Sequence, residues 1–270
     1  MKCMFTIVLI LIFNVSYGES IKIGLYPYDS PSKLYKDFKL LKDYLEKKAD
    51  VKIDIIMSKN YISHIRNVGE GKVDLALMGP VPYVRAKDKF NNILLLAKLS
   101  FSDNRMNNVI FIANANTNIQ KLQDLKGKSF AFGDYNSCGS HYFPRFILQK
   151  NGIRLSDFKF YDYLGSHSKV ILAVAHGDFD AGGVREDILH HYKNRNVKII
   201  AGPFEIAPHV IVAKSDIASD LVVKIKDALF KLSDKNILNN LEENFEGFKP
   251  VKDSEFNNIR KILTEIESKW

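Results

Sequence analysis

The stretch Tyr61-Ile-Ser-His-Ile-Arg-Asn-Val-Gly-Glu-Gly71-Lys-Val-Asp74-Leu-Ala76 has a related copy later in the chain. The copy, which aligns without a gap, is His167-Ser-Lys-Val-Ile-Leu-Ala-Val-Ala-His-Gly177-Asp-Phe-Asp180-Ala-Gly182. Each copy predicts a helix, a glycine that can end it in the left-handed conformation, and a strand that follows an aspartate. Ordinary βαβ patterns also contain such glycines and aspartates. Tyr61 and His167 each lie ten residues before the glycine of their copy, and this equal spacing favours two related lobes.

Strand and helix patterns alternate along most of the remaining chain. The apolar runs with strand character are Ile21–Gly24, Val51–Ile56, Asp74–Met78, Ile93–Ala97, Val109–Ala113, Val197–Ile200 and Val210–Ala213. This alternation predicts an α/β architecture with largely parallel sheets. From Asp220 to Trp270 the pattern is mostly helical.

The N-terminus, residues 1–18, has the pattern of a signal peptide. Lys2 supplies the positive charge, Met4–Phe13 the apolar segment, and Ser16-Tyr17-Gly18 the small-x-small cleavage site. The apolar run is too short for a typical spanning helix, and no stop-transfer segment follows it. We therefore expect export, cleavage near Gly18 and a mature chain that is soluble, periplasmic or otherwise exported, and monomeric.

Charge, cysteine and histidine patterns argue against several other classes. The formal net charge is +8, but lysines alternate with acidic residues, as on a solvated surface. Such a surface suits a small anionic ligand, and without a nucleic-acid-binding motif we expect no nucleic acid partner. Removal of Cys3 with the signal peptide leaves Cys138 alone, so no intramolecular disulfide is expected. Histidine spacing suggests no metal site, and no cofactor is expected.

A polar loop within Gly133–Arg145 joins a strand pattern to a helical pattern. Free N–H groups at the helix start, the helix dipole and the hydroxyls of Ser137 and Ser140 would suit a bound oxyanion. Helix starts after Asn60 and Ser166 have capping residues of the same kind. Such residues also cap many helices that bind no ligand. In two facing lobes, the three helix starts would border one cleft.

Several motifs, each weak alone, occur in a characteristic order across most of the chain. They are Asn60-Tyr61, Gly71-Lys-Val-Asp74, Gly79-Pro80-Val-Pro-Tyr83, the loop from Phe132 to Arg145, Gly165-Ser166-His167, Ala173-Val174 and Asp180-Ala181. In this order the chain resembles the phosphate, phosphite and phosphonate substrate-binding proteins of ABC importers. The resemblance implies the type II periplasmic-binding-protein fold, which has two α/β lobes. Each lobe is a central, mostly parallel sheet flanked by helices, and the ligand cleft lies between the lobes.

Lobe limits follow from this fold. Lobe 1 is expected to contain residues 19–107 and 206–270, and lobe 2 residues 108–205. We expect the hinge near Asn107–Val109 and Gly202–Ala207, where the chain would pass between the lobes.

The resemblance also implies a ligand set. Tyr61, the loop from Ser137 through Cys138 to Gly139, and His167 would hold the oxygens of a phosphonate. Ser140 and Ser166, at two of the helix starts, complete the predicted binding residues. Asp187 stands where relatives with an aminoalkyl ligand have a carboxylate, and it would receive an ammonium group.

Two departures from the family pattern leave the particular anion open. The family loop usually runs Asn-Ser-Thr-Ser-Gly, whereas this chain has Asn136-Ser-Cys-Gly-Ser140. A further ligand tyrosine is replaced near Met106. Each departure removes a hydroxyl donor.

The function predicted from these residues is an exported, non-enzymatic receptor that captures a small oxyanion and delivers it to an ABC permease. One alternative keeps the fold but docks on a signalling membrane protein. Another is a hydrolase with Cys138 as nucleophile and His141 or His167 as base. The sequence assigns no third, orienting residue to that pair.

Overall fold

The computed structural model describes residues 20–103, 107–192 and 195–268. The strands in these ranges are β1 (Ile21–Leu25), β2 (Ile53–Met57), β3 (Leu75–Met78), β4 (Ile93–Phe101), β5 (Asn108–Asn114), β6 (Ser129–Phe132), β7 (Phe160–Tyr163), β8 (Ala181–Arg185), β9 (Val197–Glu205), β10 (Val210–Lys214) and β11 (Phe245–Lys249). The α-helices are α1 (Pro31–Ala49), α2 (Tyr61–Gly69), α3 (Pro80–Phe90), α4 (Phe143–Lys150), α5 (His167–His176), α6 (Glu186–His190), α7 (Ser219–Lys231), α8 (Lys235–Leu241) and α9 (Asn257–Glu267).

Two parts of the sequence interpretation lie outside these ranges: the signal peptide and the replacement near Met106. Among the helices that the structure describes, none has both the length and the apolar character needed to cross a membrane.

The strands form two separate sheets. The first has the order β11-β4-β10-β3-β1-β2, and the second has the order β7-β6-β8-β5-β9. We call each sheet with its helices a lobe. The two-lobe α/β fold is thus confirmed.

The prediction of largely parallel sheets is wrong, because both sheets are mixed. Among the strands that the structure describes, only β2-β1-β3 and β7-β6-β8 pair in parallel. The strand that enters each sheet from the other lobe begins beside the carboxyl end of its neighbour. Val210 of β10 pairs with Met78 at the end of β3, and Val109 of β5 pairs with Arg185 at the end of β8. Each entering strand must therefore run antiparallel to that neighbour.

The two sequence copies occupy equivalent places in the two lobes. Tyr61 is the first residue of α2, and His167 is the first residue of α5. Gly71 and Gly177 have left-handed φ angles of 69° and 87°, which glycine adopts without a steric penalty. The predicted helix and glycine of each copy are confirmed.

The paired aspartates make the same backbone contact in each lobe. Asp74 Oδ2 accepts the N–H of Lys22 in β1 at 2.8 Å. Asp180 Oδ2 accepts the N–H of Ser129 in β6, also at 2.8 Å. Each carboxylate therefore ties the start of one strand to the start of its parallel neighbour.

The chain passes between the sheets twice, and the two crossings lie side by side. The N–H of Ile206 donates to the carbonyl oxygen of Asn107 at 2.7 Å. Asn108 pairs with Glu205 at the adjoining ends of β5 and β9. The residues predicted as hinges are thus neighbours in space, while the hinge itself and the lobe limits stay predictions.

Helix α9 packs against both lobes. Its buried face contains Ile259, Ile262, Leu263 and Ile266. It contacts α3 of the first lobe and α4 of the second. Glu265 accepts a hydrogen bond from Gln149 at 3.1 Å and pairs with Lys150 at 2.9 Å, both in α4. The lobes are therefore connected by α9 as well as by the two crossings.

Candidate functional site

Several helix starts meet at a small cavity between the lobes. These are the first residues of α2, α3 and α5 and of a π-helical turn, Cys138–Tyr142, that leads into α4. The cavity has a volume of about 10 Å³. Its lining residues are Tyr26, Tyr61, Gly79, Pro80, Pro82, Ser137, Cys138, Gly139, His167, Arg185, Ile206 and His209.

The predicted capping residues do cap their helices. The side chains of Asn60, Ser137 and Ser166 each accept the backbone N–H three residues later, at 2.9, 3.1 and 3.3 Å. Of the three, only Ser137 also lines the cavity. Asn60 and Ser166 therefore fix helix ends that present the next residue, Tyr61 or His167, to the cavity.

His167 is held as a neutral hydrogen-bond donor. Its Nδ1 accepts the backbone N–H of Arg185 at 3.1 Å, so the neutral ring carries its proton on Nε2. That Nε2 lies 3.4 Å from Oγ of Ser137. Burial, assisted by the charge of Arg185, lowers the pKa of His167 well below its ordinary value. The ring therefore offers a donor to the cavity without adding a positive charge.

Tyr61 links the first lobe to the loop of the second. Its hydroxyl lies near the side chain of Ser137, and its backbone N–H lies near the carboxylate of Asp134. Burial raises the pKa of Tyr61 well above its ordinary value, so the phenol keeps its proton and can donate. The start of α2 thus faces a carboxylate of the other lobe.

Arg185 brings a positive charge to the cavity, and the sequence interpretation did not include it. Its Nε donates to Oδ1 of Asp187 at 2.9 Å and its Nη2 to Oδ2 at 2.5 Å. Both residues are only 2% exposed. Burial lowers the pKa of Arg185, but the charge of Asp187 outweighs that effect, and the net result is a raised pKa.

The same guanidinium reaches across to the first lobe. Nη1 donates to Nε2 of His209 at 2.7 Å, and the guanidinium also lies near Tyr26. The guanidinium carbon also lies 4.8 Å from the ring centroid of Tyr28, within cation–π range. Burial lowers the pKa of His209, so its ring is neutral and can accept. Arg185 therefore contacts both lobes.

Two glycines allow close packing within each lobe at the cavity wall. A Cβ on Gly139 would lie 2.9 Å from Cγ of Arg185. A Cβ on Gly79 would lie 3.0 Å from Oη of Tyr26 and 3.3 Å from Nε2 of His209. Such distances are shorter than ordinary contacts between a Cβ and another heavy atom, so any larger residue would displace its neighbours.

The structure brings part of the predicted ligand set together at the cavity. The predicted residues that line it are Tyr61, Ser137, Cys138, Gly139 and His167. Ser140 and Ser166 are buried beside it, but they do not line it.

Asp187 does not have the surroundings expected of an ammonium receptor. Both of its carboxylate oxygens are bound by Arg185, and it is not a lining residue. The expectation rested on sequence position alone, and the arginine two residues earlier now occupies the carboxylate.

The lining residues that sequence reasoning missed are Tyr26, Gly79, Pro80, Pro82, Arg185, Ile206 and His209. One signal was available for Arg185. It lies five residues after Asp180, and Gly79 lies five residues after Asp74. Continuing the alignment of the two copies by three residues would therefore have paired Gly79 with Arg185. For His209, we find no such signal.

The surroundings of Cys138 argue against the hydrolase alternative. Burial raises the pKa of its thiol to about 12, so the nucleophilic thiolate is not available at neutral pH. His141 is bound at Nδ1 to the carbonyl of Tyr135 and at Nε2 to the hydroxyl of Tyr163. Nδ1 of His167 is likewise occupied.

Two sheets joined by adjacent crossings, with a donor-lined cavity between them, define a two-lobe solute receptor of the type II periplasmic-binding fold. The chain belongs to the family described as ABC transporter, phosphonate, periplasmic substrate-binding protein, whose model matches residues 23–256. Members of this family serve transport by binding substrates.

Individual relatives agree with this assignment. The probable ABC transporter phosphite binding protein PhnD1 of Prochlorococcus marinus (strain MIT 9301) is 27% identical over 260 residues, covering 93% of this chain and 86% of the relative. The phosphate-import protein PhnD of Mycolicibacterium smegmatis is 24% identical over 276 residues, covering 91% and 85%. The structure of P. marinus PhnD1 in complex with methylphosphonate has a TM-score of 0.83 and 25% identity, covering 92% of this chain and 98% of that one.

Proposed function

We propose that this chain captures a small oxyanion of the phosphonate, phosphite or phosphate class between its lobes and delivers it to an ABC permease. The observation that carries the proposal is the tautomer of His167. Because Nδ1 accepts the N–H of Arg185, the Nε2–H is directed towards the hydroxyl of Ser137. The hydroxyl of Tyr61 completes a set of donors at one point.

This donor set matches the chemistry of such ligands. A phosphonate, phosphite or phosphate presents several oxygens that accept hydrogen bonds strongly. Tyr61, Ser137 and His167 supply uncharged donors, and Arg185 adds one charge that Asp187 largely balances. An anion can thus be bound with limited net charge, which favours its later release to a permease.

Ligand entry requires movement of the lobes. A cavity of about 10 Å³ has room for roughly one water molecule. We place the moving bodies at residues 19–107 with 206–270, and at 108–205, with the adjacent crossings as the hinge. In this proposal, the mature chain begins after the signal peptide and acts as a monomer.

Isothermal titration calorimetry with methylphosphonate, phosphite and phosphate tests the capture step. We expect at least one of the three to bind, and Tyr61→Phe to weaken that binding about tenfold, or about 1.4 kcal/mol, the contribution of one hydrogen bond. Tyr83→Phe is the matched control, because Tyr83 is also buried but donates to Asp253 in its own lobe at 2.8 Å. The absence of heat with all three anions would contradict the proposal.

A further inference from the structure

The Arg185–Asp187 pair is built into the cavity wall with a fixed orientation. Two parallel hydrogen bonds join the guanidinium to the carboxylate, and both side chains are almost completely buried. Arg185 lines the cavity, whereas Asp187 does not. The positively charged member of the pair therefore forms part of the cavity wall, and the negatively charged member lies outside it.

Other contacts also hold the arginine in this position. Its Nη1 is bound to His209, and its guanidinium packs over the ring of Tyr28. The stem of the same side chain runs close to Gly139, where even one added carbon would lie 2.9 Å away. Contacts from both lobes thus hold the charge at the cavity.

We propose that the Arg185–Asp187 pair makes the site selective for compact oxyanions whose remaining substituent is small and uncharged, and makes it reject ligands that carry an ammonium group. This inference rests on the proposed function and specifies its ligand class. Arg185 acts in it as a specificity residue, because it is the residue with a permanent charge among those that line the cavity.

Two physical effects produce the rejection. An ammonium group in the cavity would face a guanidinium in surroundings that screen charge poorly, and the two cations would repel each other. The ammonium could reach Asp187 only by breaking two charge-assisted hydrogen bonds, which would leave a buried guanidinium without its counterion. An uncharged substituent of the same length meets neither obstacle.

A matched pair of ligands tests this on the unmodified protein. Ethylphosphonate and 2-aminoethylphosphonate share the same head and two-carbon chain, and they differ in the ammonium group. We expect calorimetry to show that the aminated ligand binds at least 30-fold more weakly. Equal or tighter binding of the aminated ligand would overturn the inference while leaving oxyanion capture intact. Failure of methylphosphonate, phosphite and phosphate to bind would overturn the proposed function itself.

Variants identify the pair as the cause. Arg185→Met/Asp187→Leu removes both charges and replaces the pair with apolar side chains. We expect the affinities for the two ligands then to differ by no more than threefold. In the control Arg260→Met, which removes an arginine that pairs with Asp88 and Asp253 away from the cavity, the ratio should stay as in the unmodified protein. Circular dichroism checks that each variant is folded. A ratio unchanged in the folded double variant would overturn the inference.

Discussion

The two lobes match closely up to the ends of their equivalent strands and then differ. Tyr61 and His167 begin equivalent helices, and Asp74 and Asp180 bind equivalent N–H groups. Five residues after these aspartates, the first lobe has glycine at position 79 and the second has an arginine. The shared residues build the scaffold, and the strand ends carry the chemistry that distinguishes the lobes.

The differing strand ends are complementary. Gly79 leaves space beside Tyr26 and His209, where a side chain would approach both. Those two residues are the partners that Arg185 reaches from the other lobe. One lobe therefore provides room at the position where the other supplies a charged side chain, which a strictly symmetrical pair of lobes could not do.

The largest expected effect comes from replacing Arg185, the strand-end residue that differs between the lobes. Arg185→Met leaves the buried carboxylate of Asp187 without a partner, and we expect the free energy of unfolding to fall by about 3–5 kcal/mol. Urea denaturation followed by circular dichroism measures this loss. The double variant with Asp187→Leu should recover most of it, because both charges are then removed. A double variant as unstable as the single one would show that the charge pair is not the cause.

A smaller effect tests the two aspartates that make the same backbone contact in each lobe. Asp74→Asn and Asp180→Asn each weaken a hydrogen bond from a strand N–H to a carboxylate, and we expect each to lower the free energy of unfolding by about 2 kcal/mol. Asp178→Asn, at an exposed position three residues before β8, should change the free energy of unfolding by less than about 0.5 kcal/mol. Stability lost in one lobe alone would disprove the equivalence of the two contacts.

The smallest effect concerns a contact between the lobes. Nε2 of His191, just after α6, lies 3.1 Å from Glu242 of the first lobe, and its Nδ1 lies 4.0 Å from Asp29. The hydrogen bond to Glu242 raises the pKa of His191 above 6.5. The ion pair should therefore contribute fully below pH 6.5, by less than about 1 kcal/mol, and be lost as pH rises through the raised pKa.

Thermal unfolding between pH 5.5 and 8.5 measures this contribution as the difference between the unmodified protein and His191→Gln. Other charged groups near His191 include Lys33, Asp37 and Asp187, as well as the two acidic partners, and all of them are present in both proteins. The two melting curves should converge as pH rises. A difference that grows with pH would contradict the assigned ion pair.

Local features of the fold were predictable from the sequence. The helix, glycine and aspartate of each copy lie within a few residues of one another, so local spacing is enough to place them. The caps Asn60 and Ser166 follow from the same local rules.

Features that depend on distant partners were not predictable in this way. Alternation of strands and helices does not show which strands pair, so the antiparallel entry of β5 and β10 was missed. The importance of Arg185 depends on His209 of the other lobe, and that contact spans 24 residues of sequence. Asp187 was assigned a ligand by its position, although its charge is satisfied by a close neighbour.

Because contacts already join the lobes, the affinity for a ligand is the difference between the bonds that the ligand forms and the lobe contacts that it replaces. Arg185 is bound to His209, and Tyr61 lies against Ser137 and Asp134, before any anion is considered. An anion that takes over these donors exchanges one set of bonds for another, and only the surplus appears as a dissociation constant. Lobe contacts that the ligand must replace therefore lower its measured affinity, and those that it leaves in place help to hold it.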